Sequence, residues 1–249
     1  MLRGIFFDLD DTLIAYSDAV QQAIEQTAQC GQKFYPELTT SRLLEAMTRS
    51  YHKTFGSGTP GYKRLATLPT TQLRQQLTEL SLVELGVPVE PVLVAYLQEC
   101  YTQAEAAFLK PFPDTQATLR ALKPHYVLGI ITNGPGPLQR EKLAQLNLTS
   151  WFDVIIVDSE YGSPKPDPNL FLHAASQAKL DKSELMFVGN AVDADIEGAN
   201  GAGWCSVHLN PAPVSAATYT IACLSDLLHI PPVAENLILA TRTNLADTI

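Results

Sequence analysis

The chain has 249 residues, 46% of them apolar, with 26 acidic residues against 17 basic ones and a formal net charge of -9. A chain of that length buries about three quarters of its unfolded surface, so folding needs no metal or disulfide staple, and it suits one α/β domain or a core with a smaller companion. The acidic balance opposes the basic footprint that nucleic acids and anionic membranes require, although one local cation still permits a phosphorylated substrate.

The N-terminus, MLRGIFFDLDDTL, carries three carboxylates too early for a signal peptide. The longest apolar runs are of strand length, far short of the roughly 20 residues of a membrane helix, so a cytoplasmic protein is expected. Gly4-Ile5-Phe6-Phe7 is an apolar run that ends abruptly in acids, the pattern of a buried parallel strand with charged groups at its C-terminal end. Residues 15–109 then show helix-period patterns at 18–29, 39–54, 71–85 and 91–108, without a buried strand, and read as an all-helical insertion. Within it, Tyr16 is a candidate for lining a pocket. Lys63 and Arg64, beside the breaker-rich loop Gly56-Ser57-Gly58-Thr59-Pro60-Gly61, are candidates for contact with an anionic leaving group.

After Lys110-Pro111-Phe112-Pro113-Asp114, strand-like runs at 126–131, 154–157, 185–188 and 204–209 alternate with helical stretches at 114–123, 137–146, 167–178 and 192–201. Such alternation implies an α/β core, a parallel sheet with helices on both faces, built from residues 1–14 and 110–231. Residues 232–249 carry no assignment. The four cysteines, Cys30, Cys100, Cys205 and Cys223, show no CxxC spacing and read as reduced, mostly buried thiols. The five histidines are scattered and form no ligand pattern.

In such a sheet the ligand sits beyond the C-terminal strand ends, where four polar clusters fall. Asp8 and Asp10, two apart in extended chain, can face one site. Two carboxylates held together repel unless a cation lies between them, which suits Mg²⁺, and the pair equally suits covalent phosphoryl transfer. Thr132-Asn133-Gly134 offers a hydroxyl and backbone N–H groups at a strand end, an anion cradle. Lys165 is an isolated cation held between prolines in Ser163-Pro164-Lys165-Pro166-Asp167-Pro168. Gly189-Asn190-Ala191-Val192-Asp193-Ala194-Asp195 adds oxygen donors past another strand.

The order DLDDT, TNG, SPKPDP and GNAVDAD, each after an apolar strand, resembles the four motifs of the haloacid dehalogenase-type hydrolases. The resemblance covers roughly residues 1–13 and 110–210 and implies a Rossmann-like core with the helical insertion, 15–109, as a cap domain. It implies Asp8 as nucleophile, forming an aspartyl-phosphate, and Asp10 as the acid that protonates the leaving oxygen and then activates water. Thr132 and the Asn133 backbone would hold phosphate oxygens, Lys165 would offset their charge, and Mg²⁺ would bind Asp8, the Asp10 carbonyl, Asn190 and Asp195. The implied activity is a Mg²⁺-dependent phosphatase of a small phosphorylated metabolite, acting as a monomer or homodimer without nucleic acid or membrane.

Asn190 departs from the family, which has Asp there; an amide oxygen brings no charge, so weaker metal binding is expected, with Asp193 or Asp195 as the compensating carboxylate. A carbon–halogen hydrolase or phosphonate-cleaving relative would not need the acid at Asp10. A sugar phosphomutase shares Asp8 and Asp10, and a non-catalytic binding protein has Asn190 as its support. The stretch Leu138-Gln139-Arg140-Glu141-Lys142 after TNG is similar to the branch with nucleotidases and N-acylneuraminate 9-phosphatase.

Overall fold

The computed structural model describes residues 1–55, 66–209 and 216–246. The Gly56–Gly61 loop, Lys63 and Arg64 lie outside the described residues. The chain divides into two compact units, Met1–Ile14 with Pro111–Gly134 and Gln139–Ile249, and Ala15–Lys110 with Pro135–Leu138.

The first unit is built on a six-stranded parallel sheet in the order β3-β2-β1-β4-β5-β6. The strands are β1 (Gly4–Phe7), β2 (Val127–Thr132), β3 (Val154–Val157), β4 (Leu185–Gly189), β5 (Cys205–Leu209) and β6 (Tyr219–Ile221). Every residue of β1 and β4 is buried, which is why these strands read as unbroken apolar runs rather than as alternation. The chain runs outward from β1 through β2 to β3, then crosses to β4 and runs the other way. The order therefore reverses between β1 and β4, and a crevice opens beyond their C-terminal ends. Asp8 follows β1 and Asn190 follows β4.

On one face of the sheet, Phe6, Ile131, Ile156 and Phe187 pack with Leu170, Phe171 and Ala174 from the helix Pro168–Ala178 and with Trp204. Phe171 meets Phe187 and Trp204 edge to face, with centroids 5.1 and 5.6 Å apart, a favoured aromatic geometry. That helix starts where the sequence signals it: Asp167 accepts a bond from the Asn169 N–H, and Pro168 occupies the first turn.

Two elements of this unit went unread in the sequence. Strand β6 has only three residues, one of them exposed, too short for a period. The segment after 231 forms the helix Pro231–Ala246, whose Val233 is fully buried. The Val233 carbonyl accepts from the Tyr126 hydroxyl, and Asn236 donates to Leu2 O at 2.9 Å.

The second unit consists, among the described residues, of α1 (Tyr16–Gln32), α2 (Thr40–Phe55), α3 (Thr70–Leu85) and α4 (Pro91–Phe108). Gly86 ends α3 in the left-handed region, φ 70°, and its N–H caps the last turn. Leu38, Leu82, Leu93, Val94 and Leu97 form one buried cluster in it, and Ile24, Ala28 and Leu43 another. The expectation of four reduced cysteines is corrected here: Cys30 on α1 and Cys100 on α4 form a disulfide. The bridge spans 70 residues and arises because α1 and α4 pack together, which no local spacing signals. Cys205 and Cys223 are free, and Cys223 is exposed rather than buried. No helix among the described residues is long and apolar enough to cross a membrane.

Candidate active site

Asp8 sits at the end of the central strand, where its N–H still pairs with Val188 O at 2.9 Å. The next residues turn at once: Leu9 O accepts from the N–H groups of Thr12, Leu13 and Ile14, and Asp11 adopts φ 59°. Aspartate is among the few residues that tolerate that region. The turn folds Thr12 back, so that its hydroxyl lies 3.3 Å from Asp8 Oδ2 and 3.2 Å from Asn190 Oδ1.

The other oxygen of Asp8 accepts from Lys165 Nζ at 2.6 Å, and Lys165 also donates to Asp195 Oδ1 at 2.6 Å. All three residues are buried, with Lys165 5% and Asp195 1% exposed. Burial is the main influence on Asp8 and pushes its carboxyl up to about 7; Lys165 opposes the rise, while the charges of Asp195 and Asp10 add to it. Burial also works against the Lys165 charge, but Asp195 and Asp8 more than offset it and hold the ammonium above the usual lysine range. The lysine's own loop is fixed by Asn133, which donates through Nδ2 to Lys165 O at 3.1 Å and accepts the Lys165 N–H at 2.8 Å. The Asn133 side chain is thus a clamp, a role separate from the backbone cradle read in the sequence.

Asp10 has a different set of partners. Lys142 Nζ lies 2.8 and 2.7 Å from its two carboxylate oxygens, and Gln139 Nε2 lies 3.1 Å from Oδ2. The same Gln139 nitrogen reaches Thr132 Oγ1 at 2.6 Å and Asn133 O at 3.1 Å. Gly134 N–H donates to Asp158 Oδ1 at 2.7 Å, which fixes the end of the Thr132–Gly134 turn.

Beyond β4, a Cβ on Gly189 would lie 2.3 Å from Asp195 Oδ2, so glycine is required for Asp195 to approach the strand end. Asp195 Oδ2 accepts the Ala191 N–H at 2.9 Å, which leaves both of its oxygens engaged. Asn190 faces Thr12 with its side-chain oxygen, while its carbonyl lies 3.0 Å from Nε2 of the buried His208. Asp193 is exposed. Among the described residues no group of three or more His, Cys, Asp or Glu side chains is assembled to hold a metal. Oxygens from Asp8 and Asn190 nevertheless converge on one hydroxyl, and a carboxylate with an amide oxygen is a donor set of the hard type that Mg²⁺ takes.

The four motif clusters thus meet at the crevice that the sheet topology creates, and the sequence pattern of haloacid dehalogenase-like hydrolases matches residues 2–203. The chain belongs to that family. The glyceraldehyde 3-phosphate phosphatase of Methanopyrus kandleri is 31% identical over 84% of this chain and 84% of its own length. The N-acylneuraminate-9-phosphatase of Rattus norvegicus is 23% identical over 95% of each. The crystal structure of a 2-haloacid dehalogenase from Pseudomonas syringae pv. Tomato DC3000 superposes with a TM-score of 0.66 at 27% identity, covering 92% of this chain and 97% of that one.

This haloacid dehalogenase-like hydrolase also holds a cavity of about 350 Å³ in its helical unit, lined among others by Tyr16, Tyr51, Arg74, Tyr101 and Leu138. Arg74 and the buried Glu105 form an ion pair in its wall, and burial followed by the Glu105 charge raises the Tyr101 hydroxyl well above its ordinary range. The site residues that sequence reasoning missed are Thr12, Gln139, Lys142, Asp158 and His208. The spacing of Gln139 and Lys142, which puts both on one helix face, was the signal available for two of them.

Proposed function

We propose that this hydrolase is a phosphatase that cleaves a small organic phosphomonoester through an aspartyl-phosphate on Asp8. The observation that carries the reading is the Asp8–Lys165–Asp195 chain beside an Asp10 with its own donors, at the crevice of the sheet. An Asp8 oxygen attacks phosphorus, the bond to the leaving oxygen breaks, and Asp10 delivers its proton to that oxygen. Asp10 then takes a proton from the water that attacks phosphorus, the Asp8–phosphorus bond breaks, and inorganic phosphate leaves. Thr132 and the Asn133 backbone hold phosphoryl oxygens, and Lys165 offsets their charge together with that of Asp8. Positioning and charge neutralisation of this kind are what phosphoryl transfer chiefly requires.

Asp8, the Asp10 carbonyl, Asn190 and Asp195 would hold Mg²⁺, hard oxygen donors of the kind that ion takes. When bound, the ion supplies positive charge against the phosphoryl oxygens. The helical unit serves as the cap, and the phosphatases among the relatives point to a small phosphorylated metabolite as substrate.

The test is phosphate release from glyceraldehyde 3-phosphate, N-acylneuraminate 9-phosphate, other sugar phosphates and nucleotides, with and without Mg²⁺, beside Asp8→Asn protein. Release that vanishes in the variant is expected. Isomerised sugar phosphate in place of free phosphate would identify a mutase. Halide released from a 2-haloacid, without phosphatase activity, would identify a dehalogenase, and no turnover at any Mg²⁺ concentration would leave a binding protein.

A further inference from the structure

Gln139 and Lys142 stand three residues apart on the helix Gly136–Gln145, so their side chains share one face, and both turn onto Asp10. The Lys142 side chain is 3% exposed, against 25% for Asp10. A buried ammonium is costly unless paired, and a buried ion pair is often a poor source of stability. Lys142 nevertheless spans both oxygens of Asp10, at 2.8 and 2.7 Å. The arrangement therefore asks for a reason other than stability. Gln139, 1% exposed, ties the same carboxylate to the Thr132 hydroxyl through one nitrogen.

We infer that Lys142 and Gln139 are positioning residues for Asp10: they fix the orientation of its carboxylate and set its register against the hydroxyl that holds phosphate. An aspartate on a tight turn otherwise has its χ angles free. Proton transfer needs heavy atoms within about 3 Å, and misplacement by about 1 Å costs on the order of 100-fold. Three bonds to two oxygens, from a side chain and a neighbour on one helix face, remove that freedom. The inference rests on the reading of Asp10 as the acid–base group.

The test compares Lys142→Met, Asp10→Asn and the double variant on two substrates with leaving groups of different need. Glycerol phosphate requires a proton on its departing oxygen; p-nitrophenyl phosphate does not. Lys142→Met is expected to lower kcat/KM for glycerol phosphate by about 10- to 100-fold and for the aryl ester by less than about threefold. In the Asp10→Asn background the same substitution is expected to cost less than about threefold on either substrate, because its effect passes through Asp10. Equal losses on both esters, or losses that multiply in the double variant, would overturn the inference. Should Lys142→Met fail to fold, Gln139→Leu carries the same comparison with the same outcomes. If Asp10→Asn itself leaves the glycerol phosphate rate unchanged, the acid–base reading of Asp10 falls as well; if only the Lys142 and Gln139 variants are silent, the positioning inference falls alone.

Discussion

Asn133 and Lys165 hold each other by two reciprocal hydrogen bonds, 3.1 Å from Nδ2 to the Lys165 carbonyl and 2.8 Å from the Lys165 N–H to Oδ1. Thirty-two residues separate them, and the pair ties the turn after β2 to the loop that carries the lysine. The cation that neutralises Asp8 is thereby aimed by a side chain from another motif. Asn133→Ala should lower kcat/KM about 10- to 100-fold and stability by about 1–3 kcal/mol, since two bonds are lost and a backbone pair is left to find water. Steady-state kinetics and urea unfolding read the two effects. Wild-type kinetics in a folded variant would show that the lysine loop holds itself.

Lys165 stands between two buried carboxylates, 2.6 Å from each. Lys165→Met keeps the side-chain length and removes the charge, leaving Asp8 and Asp195 facing one another. Breaking buried pairs in this way costs about 3–5 kcal/mol at neutral pH, and phosphate release should fall to background. A variant as stable as the parent would mean that water already screens the pair.

The Asp8 carboxyl, raised by burial to about 7 from 3.8, gives the metal-free protein a signed pH dependence. Between these values the folded state binds more protons than the unfolded state, so stability falls as pH rises from about 4 to about 7 and levels off above that. The contribution is fully present below the unfolded value and is lost through the folded one. In EDTA, thermal melts should show this decline, on the order of a few kcal/mol, and Asp8→Asn should flatten it. A decline of the same size in Asp8→Asn would assign it to other groups.

Asn190 offers an amide oxygen beside Asp8, with the Thr12 hydroxyl 3.2 Å from it. Asn190→Asp adds one negative charge to that donor set. The Mg²⁺ concentration for half-maximal phosphate release should fall by about tenfold, as ligand charge governs affinity for such ions. An unchanged Mg²⁺ dependence would remove Asn190 from the metal site.

By itself the sequence determined the parts whose cause is local. Buried parallel strands announce themselves as apolar runs, so β1, β3 and β4 were legible almost to the residue, and the helices of the insertion followed from their period. The four polar clusters were legible because each follows such a run, and the sheet topology brings them together. Strand β6 and the helix Pro231–Ala246 stayed hidden, the first too short for a period and the second lacking a sharp apolar stripe.

Only the tertiary structure decided who touches whom. Asp195 lies against Gly189, and its two oxygens accept from Lys165 and the Ala191 N–H, partners that no local pattern names. Lys142 entered the sequence reading only as part of the stretch after TNG, and it meets Asp10, 132 residues earlier in the chain, because the helix lies against the turn after β1. Cys30 and Cys100 meet across 70 residues for the same reason. Periodicity fixes which face of an element is buried; which side chain lies opposite depends on how that face docks, and docking is set by the shape of the whole core.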